Sequence, residues 1–319
     1  MPDIPVRKRL RTLTTALAAA AAVVAAVAAW RARPQGTAPN LDVYDYRDTR
    51  KLVALTARAA AAIEAEGEDA FERFRRRPEA WSLGENSYLY VYDFDNVNLY
   101  HGGYPEFRGR NLTSMTDLLG KHPGPLIVDQ IENHHDLNPH GWVHYLWVPP
   151  GALNGVWKAS CNFPVTFPDG RRGYVGCGFD YPHQEREFYR IVVDEAAELI
   201  SREGNAALDL IKSPAGPFVI HDSRVFVILG DGTTIIDPGL DLKESRNLLS
   251  YRDESGNRPL AMLAGRLEEE DRAWVVMRSR DSRGERAEKK GIYGRKAVLN
   301  GREVIVGAIC PLPRPAWMG

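Results

Sequence analysis

Apolar residues recur with helical spacing in two stretches of the chain. Val192, Ala196, Leu199 and Ile200 fall at i, i+4, i+7 and i+8, one stripe on an amphipathic helix. An alanine-rich stretch from about Tyr46 to Arg77 predicts its counterpart earlier in the chain. After each helix the pattern becomes strand-like around a tight turn, at Asp95-Asn96 and again at Asp231-Gly232, the second a strong hairpin signal. A shorter helical segment then leads into three strands, the last two joined at Asp169-Gly170 and at Asn300-Gly301. One long helix followed by about five antiparallel strands, occurring twice, predicts an α+β fold in which each helix covers one face of a sheet.

The two halves are copies. The segment from Tyr88, YLYVYDFDNVNLYHGGYPEFRGRNL, aligns without a gap on RVFVILGDGTTIIDPGLDLKESRNL from Arg224. They share Val91/Val227, Asp95/Asp231 and the tripeptides Arg110-Asn111-Leu112 and Arg246-Asn247-Leu248. With small shifts Trp142-Val143 matches Trp274-Val275, Lys158 matches Lys290, and Gly170-Arg171 matches Gly301-Arg302. A unit of this length is a domain duplication and not a solenoid. It sets one module at 42–180 and a second at 186–310, with DYPHQER from Asp180 to Arg186 between them and a Pro-rich tail over 311–319.

Composition changes this picture mainly at the N-terminus. Arg7, Lys8, Arg9 and Arg11 precede an uncharged run from Leu13 to Trp30, so residues 1–36 read as a signal peptide or an N-terminal membrane anchor. The run is Ala-rich and would insert weakly, which favours cleavage. Either route places the remaining chain in the periplasm or another extracytoplasmic space, secreted or tethered by that segment alone. The formal net charge of −1, with no Lys/Arg cluster interleaved with aromatics, argues against nucleic acid as a partner.

Candidate chemistry is sparse. Four of eight histidines, His134, His135, His140 and His144, crowd one loop. Their spacing fits no known zinc motif and Asn138-Pro139 interrupts any helix there, so a solvated loop outweighs a metal site. No G-x-S-x-G, phosphate-binding glycine loop or clear carboxylate pair is present, so the chain is not read as an enzyme, and no cofactor is expected. Cys161 and Cys177 lie equally far from the turn at Asp169, opposite one another across a hairpin, which in an oxidising compartment predicts a cross-strand disulfide as an alternative to two buried thiols. Alternation puts Tyr88, Tyr90 and Tyr92 on one face of the first strand, and Tyr145 and Trp147 on one face of the third. Lys158, flanked by Trp157 and Phe163 in a strand, must reach solvent or a partner.

The ordered set YLYVYDFD, GRNL, GWVHYLW with PPG, Lys158 with Cys161, and GYVGCG, together with RNLLSYRDESGNRPL in the second half, resembles the Cache domain, a PAS-like extracytoplasmic sensor module of chemoreceptors and histidine kinases. The resemblance covers about residues 42 to 310 and implies two PAS-like modules in tandem. It further implies a small ligand, a carboxylate or amino-acid-like metabolite, held between the sheet and its overlying loops, with a lysine near Lys158 meeting the carboxylate. The family's K-x-x-Y pattern stands intact as Lys290 and Tyr293, whereas Cys161 replaces the tyrosine in the first half. The candidate ligand residues are therefore Tyr90, Tyr145, Trp147, Lys158 and Phe163 in the first module and Lys290 and Tyr293 in the second, with the first as the better binder. The chain closes on PLPRPAWMG without the family's usual output domain, which implies signalling through a partner, a membrane receptor or sensor kinase. Two other readings compete: a ligand-free structural or interaction module, and a metal-dependent enzyme using the His134–His144 loop.

Overall fold

The computed structural model describes residues 38–84, 87–148, 153–221, 223–237, 247–280 and 287–312. The signal or anchor segment at 1–36 and residues 313–319 of the tail lie outside them. Pro39–Gly319 forms one compact unit.

Helix α1 (Arg47–Glu66) carries Leu52, Val53, Leu55, Ala59 and Ile63 on its buried stripe. The predicted long helix does not run through to Arg77. It stops at Gly67, whose φ of 64° and ψ of −138° suit glycine alone, and α2 (Asp69–Arg76) restarts beyond it. Five strands follow, interrupted by one helix: β1 (Leu89–Asp93), β2 (Asn98–His101), α3 (Pro123–Asn133), β3 (Val143–Trp147), β4 (Val156–Thr166) and β5 (Arg172–Asp180). They form an antiparallel sheet in the order β2-β1-β5-β4-β3.

The second half repeats this. Helix α4 (Arg186–Glu203) ends at Gly204 with φ 59° and ψ −129°, and α5 (Asn205–Lys212) restarts the chain direction as α2 does. A two-stranded ribbon comes next, without a counterpart among the described residues of the first half, β6 (Val219–Ile220) and β7 (Ser223–Arg224). The remaining elements are β8 (Phe226–Leu229), β9 (Thr234–Ile236), α6 (Pro259–Glu269), β10 (Arg272–Arg280), β11 (Ala287–Leu299) and β12 (Arg302–Pro311). Their sheet order, β9-β8-β12-β11-β10, is that of the first sheet position for position. The molecule is thus α+β, with two separate five-stranded antiparallel sheets.

The shared residues have one job in both copies. Asn111 donates from Nδ2 to the Asp95 carbonyl (2.9 Å) and accepts from the Thr113 amide (3.0 Å). Asn247 does the same to Asp231 (2.8 Å) and Leu249 (2.9 Å). Each asparagine pins the β-turn of the first hairpin to the returning loop, satisfying backbone groups that the sheet leaves over.

Each sheet has a helix face and a loop face. Helix α1 packs on β4 and β5, and α4 on β11 and β12, and these contacts merge into a single core cluster running from Leu52 and Ile63 through Val91 and Val175 to Ile200 and Val306. The opposite faces hold two smaller clusters, one per module, under α3 and α6.

Candidate functional site

On the loop face of the first sheet a ring of aromatic side chains encloses a cavity. Alternation along β1 aims Tyr88, Tyr90 and Tyr92 at this face, β3 supplies Tyr145 and Trp147, β4 supplies Lys158, and β5 supplies Tyr174. His101, opposite Tyr90 in the β1–β2 register, closes one side, and Pro123, Gly124 and Ile127 of α3 form the roof. The cavity volume is about 60 Å³, under half the ~150 Å³ of an engineered cavity that admits benzene. It is sized for a molecule of a few heavy atoms.

Its polar groups are mostly donors. The Lys158 ammonium is buried, paired with Asp180 at 2.6 Å and hydrogen-bonded to the Tyr88 hydroxyl at 3.2 Å. Tyr90 donates to Asn162 Oδ1 (2.7 Å) and Tyr174 to Asn96 Oδ1 (3.0 Å), which orients both rings. Burial raises the hydroxyl pKa values of Tyr88, Tyr90, Tyr145 and Tyr174, so all four stay protonated. Burial, and then the neighbouring Lys158, push His101 down to about 3; its ring is neutral and accepts the Tyr104 amide proton at Nδ1 (2.9 Å). The indole N–H of Trp147 is buried and has no hydrogen-bond partner among the described residues. A buried donor without an acceptor costs roughly 1–3 kcal/mol, which a bound acceptor would remove.

The structure brings Tyr90, Tyr145, Trp147 and Lys158 together around this cavity. It does not bring Phe163, which lies an odd number of positions from Lys158 and therefore on the helix face, against His140 (ring centroids 5.0 Å apart). The same parity separates Lys290 from Tyr293. Tyr293 points to the helix face and donates to Asp194 of α4 (2.9 Å), so the K-x-x-Y pair does not converge on one site. Sequence reasoning missed His101, Tyr174 and the α3 roof; the pairing of NLYH with YLYVY across the Asp95-Asn96 turn was the available signal for His101.

In the second module the equivalent space is filled. Phe226, Ile228, Met277 and Ile305 stand where the first module has Tyr90, Tyr92, Tyr145 and Tyr174, and Leu260 stands in place of Gly124. Leu263 of α6 drops onto β11 at Gly294, where an added Cβ would lie 2.6 Å from its Cδ2; the first module has Asn162 there. The result is a closely packed apolar cluster.

Cys161 and Cys177 face each other directly across β4 and β5, and in this structure both carry free thiols. Cys177 Sγ lies 3.3 Å from Ser87 Oγ, and burial pushes its pKa up to about 11. The histidines of the loop diverge. His134 caps α3 with Nε2 3.5 Å from Asp129, His140 lies against Phe163, and His144 packs on Phe188 of α4 at 4.7 Å. Among the described residues no group of three His, Cys, Asp or Glu side chains could hold a metal ion. Among them, too, no helix is long and apolar enough to cross a membrane.

A family model described as Single Cache domain 2 matches residues 47–162. Among solved structures, one reported for carboxylic acid recognition by a Cache chemosensory domain is 21% identical, with 42% of this chain and 94% of that one covered and a TM-score of 0.34. A periplasmic sensor domain of a chemotaxis protein is 23% identical over 43% of this chain and 99% of that one, TM-score 0.32. Methyl-accepting chemotaxis protein X is 14% identical over 95% of this chain and all of the other (100%), TM-score 0.29. No curated protein matches the chain.

Proposed function

We propose, from the match of residues 47–162 to the Single Cache domain 2 model, that the chain is an extracytoplasmic sensor whose first module, 42–180, binds a two- or three-carbon carboxylate or a similarly small amino-acid-like metabolite. The observation that carries this reading is the small aromatic cavity with a buried lysine, protonated tyrosine hydroxyls and an indole N–H without a partner among the described residues in its wall. Tyr90 and Tyr174 already give their protons to asparagines, so the Lys158 ammonium and the Trp147 indole N–H are the donors that would meet an acceptor-rich anion, and a charge-assisted hydrogen bond there contributes about 1.5–3 kcal/mol. The pairing of Lys158 with Asp180 holds the ammonium in place before binding, so little side-chain ordering remains to oppose it. The second module, 186–310, is the ligand-free structural copy, its pocket occupied by its own aliphatic side chains. Occupancy passes to a membrane receptor or sensor kinase, and the N-terminal segment delivers the chain across the membrane or tethers it there.

Calorimetric titration with acetate, propionate, pyruvate, glycine and alanine tests the reading. At least one should bind the full chain and none should bind Lys158→Ala at comparable concentration. Failure of all five, or undiminished binding by Lys158→Ala, overturns it.

A further inference from the structure

The elements that wall the cavity are also those that hold the second module. Helix α3 presents Pro123, Gly124 and Ile127 to the cavity and, one turn further on along the neighbouring stripe, Gln130 to α4, where Nε2 donates to Glu195 Oε2 (3.2 Å). Asn138 steadies the same glutamine by donating to its Oε1 (3.0 Å). Between α3 and α4 lies a void of about 10 Å³, bordered by Leu126, Gln130, Phe188 and Glu195. Helix α3 thus borders the cavity with one stripe and this small void with the adjacent one.

Lys121, at the entrance to α3, makes the second connection. Its side chain is 1% exposed, and the ammonium donates to two backbone carbonyls, His144 in β3 (2.8 Å) and Val219 in β6 (3.0 Å). His144 precedes Tyr145 of the cavity wall, and Val219 belongs to the ribbon that the second module adds. The Asp117 carboxylate fixes this arrangement from the other end, accepting the amides of Lys121 and Leu146 (2.8 Å each). Its copy Asp253 accepts the amides of Asn257 (2.9 Å) and Arg278 (3.0 Å) in the same way. The aspartate clamp is therefore general to the fold, while the lysine is not: its counterpart is Asn257, an exposed residue. A buried ammonium shared between two strands from different modules is costly to desolvate, and it is retained where the modules join.

We propose that Lys121 and α3 form the link by which filling of the first module's cavity repositions the second module, with Lys121 as the positioning residue. This rests on the reading of the cavity as a ligand site. Movement of β3 or α3 around a ligand carries the His144 carbonyl and Gln130 with it, and those two groups are held, through Lys121 and Glu195, by β6 and α4. Both contacts are short and buried, so displacement on one side is passed on instead of being taken up by solvent.

Hydrogen exchange of the full chain, followed over 186–203 and 219–224, tests the link. The cavity is filled in two independent ways, by saturating acetate and by Ile127→Phe, which directs a ring into it. In the wild-type background either filling should slow exchange in both segments at least threefold. In Lys121→Met, Ile127→Phe should still slow exchange in β1 and β3 but leave 186–203 and 219–224 unchanged, and Lys121→Gln, which keeps an uncharged N–H donor group on a shorter side chain, should restore part of the response. An equal response in Lys121→Met overturns the proposal, as does the absence of any response to Ile127→Phe with Lys121 intact, a comparison that needs no Lys121 variant to fold. If none of acetate, propionate, pyruvate, glycine and alanine has an effect while Ile127→Phe is transmitted, the carboxylate reading fails and the link stands.

Discussion

Two side chains of the same type at equivalent positions carry different weight. Lys158 is buried in the cavity wall, whereas Lys290 is half-buried beside Met277 in a module whose pocket is filled. Lys158→Ala should weaken carboxylate binding by about ten- to a hundredfold, and Lys290→Ala by less than about twofold. Titration of both variants checks this, and equal losses would mean that both modules bind. Glu195 offers a pH-dependent counterpart. Burial raises its carboxyl from 4.5 to about 7, partly offset by His134 and by hydrogen bonds from Gln130 and Asn138, with Asp129 and the pocket-lining His144 also nearby. Because the folded pKa lies above the unfolded one, this group's contribution is fully present below pH 4.5 and is lost as pH rises to about 7, a fall of roughly 3 kcal/mol. Glu195→Gln should flatten that part of the curve, so urea unfolding at pH 5 and pH 8 should show a smaller stability difference than in the wild type. The tyrosine face and Lys158 were legible because strand alternation fixes them once the turns are placed. Lys121 and Glu195 were not, since their roles depend on which module packs against them.

At the level of elements the duplication was readable, and one of its features was not. The helix breaks at Gly67 and Gly204 fall inside stretches whose apolar spacing continues, so periodicity alone predicts one long helix through Tyr46–Arg77. Each glycine adopts a positive φ and abuts the β4–β5 or β11–β12 turn, where a Cβ would lie 3.3 Å from Pro168 Cδ or 2.5 Å from Asn300 Oδ1. Gly67→Ala and Gly204→Ala should each cost about 1–3 kcal/mol, while Gly265→Ala, in open space on α6, should stabilise by about 0.5–1 kcal/mol. Thermal unfolding of the three variants separates these signs. The filled and open pockets also differ. Leu263→Ala removes a side chain packed in a closed cluster and should cost about 2–5 kcal/mol, more than Ile127→Ala, which enlarges space already present.

For the whole molecule, repetition in sequence suggested two bodies meeting at the 180–186 linker, but said nothing of how they dock. Trp142 of the first module packs on Phe188 of α4 (4.6 Å) and donates to the Tyr44 hydroxyl (2.8 Å), and the largest core cluster takes residues from both halves. Shared burial on this scale couples unfolding, so urea denaturation followed by tryptophan fluorescence and by circular dichroism should give coincident single transitions. Two resolved transitions would show modules that fold independently.

The Lys158–Asp180 ion pair has a consequence for kinetics. The cation at the bottom of the site is already neutralised by a partner 2.6 Å away, and the chain as a whole carries a formal net charge of only −1. An approaching anion therefore meets almost no long-range field, and diffusion alone sets how often it arrives. The association rate constant for a small carboxylate, measured by stopped flow, should change less than about twofold between roughly 10 and 150 mM salt, although screening shortens the Debye length from about 30 to 8 Å over that range. Discrimination among anions then falls to the dissociation rate, decided inside the cavity after capture.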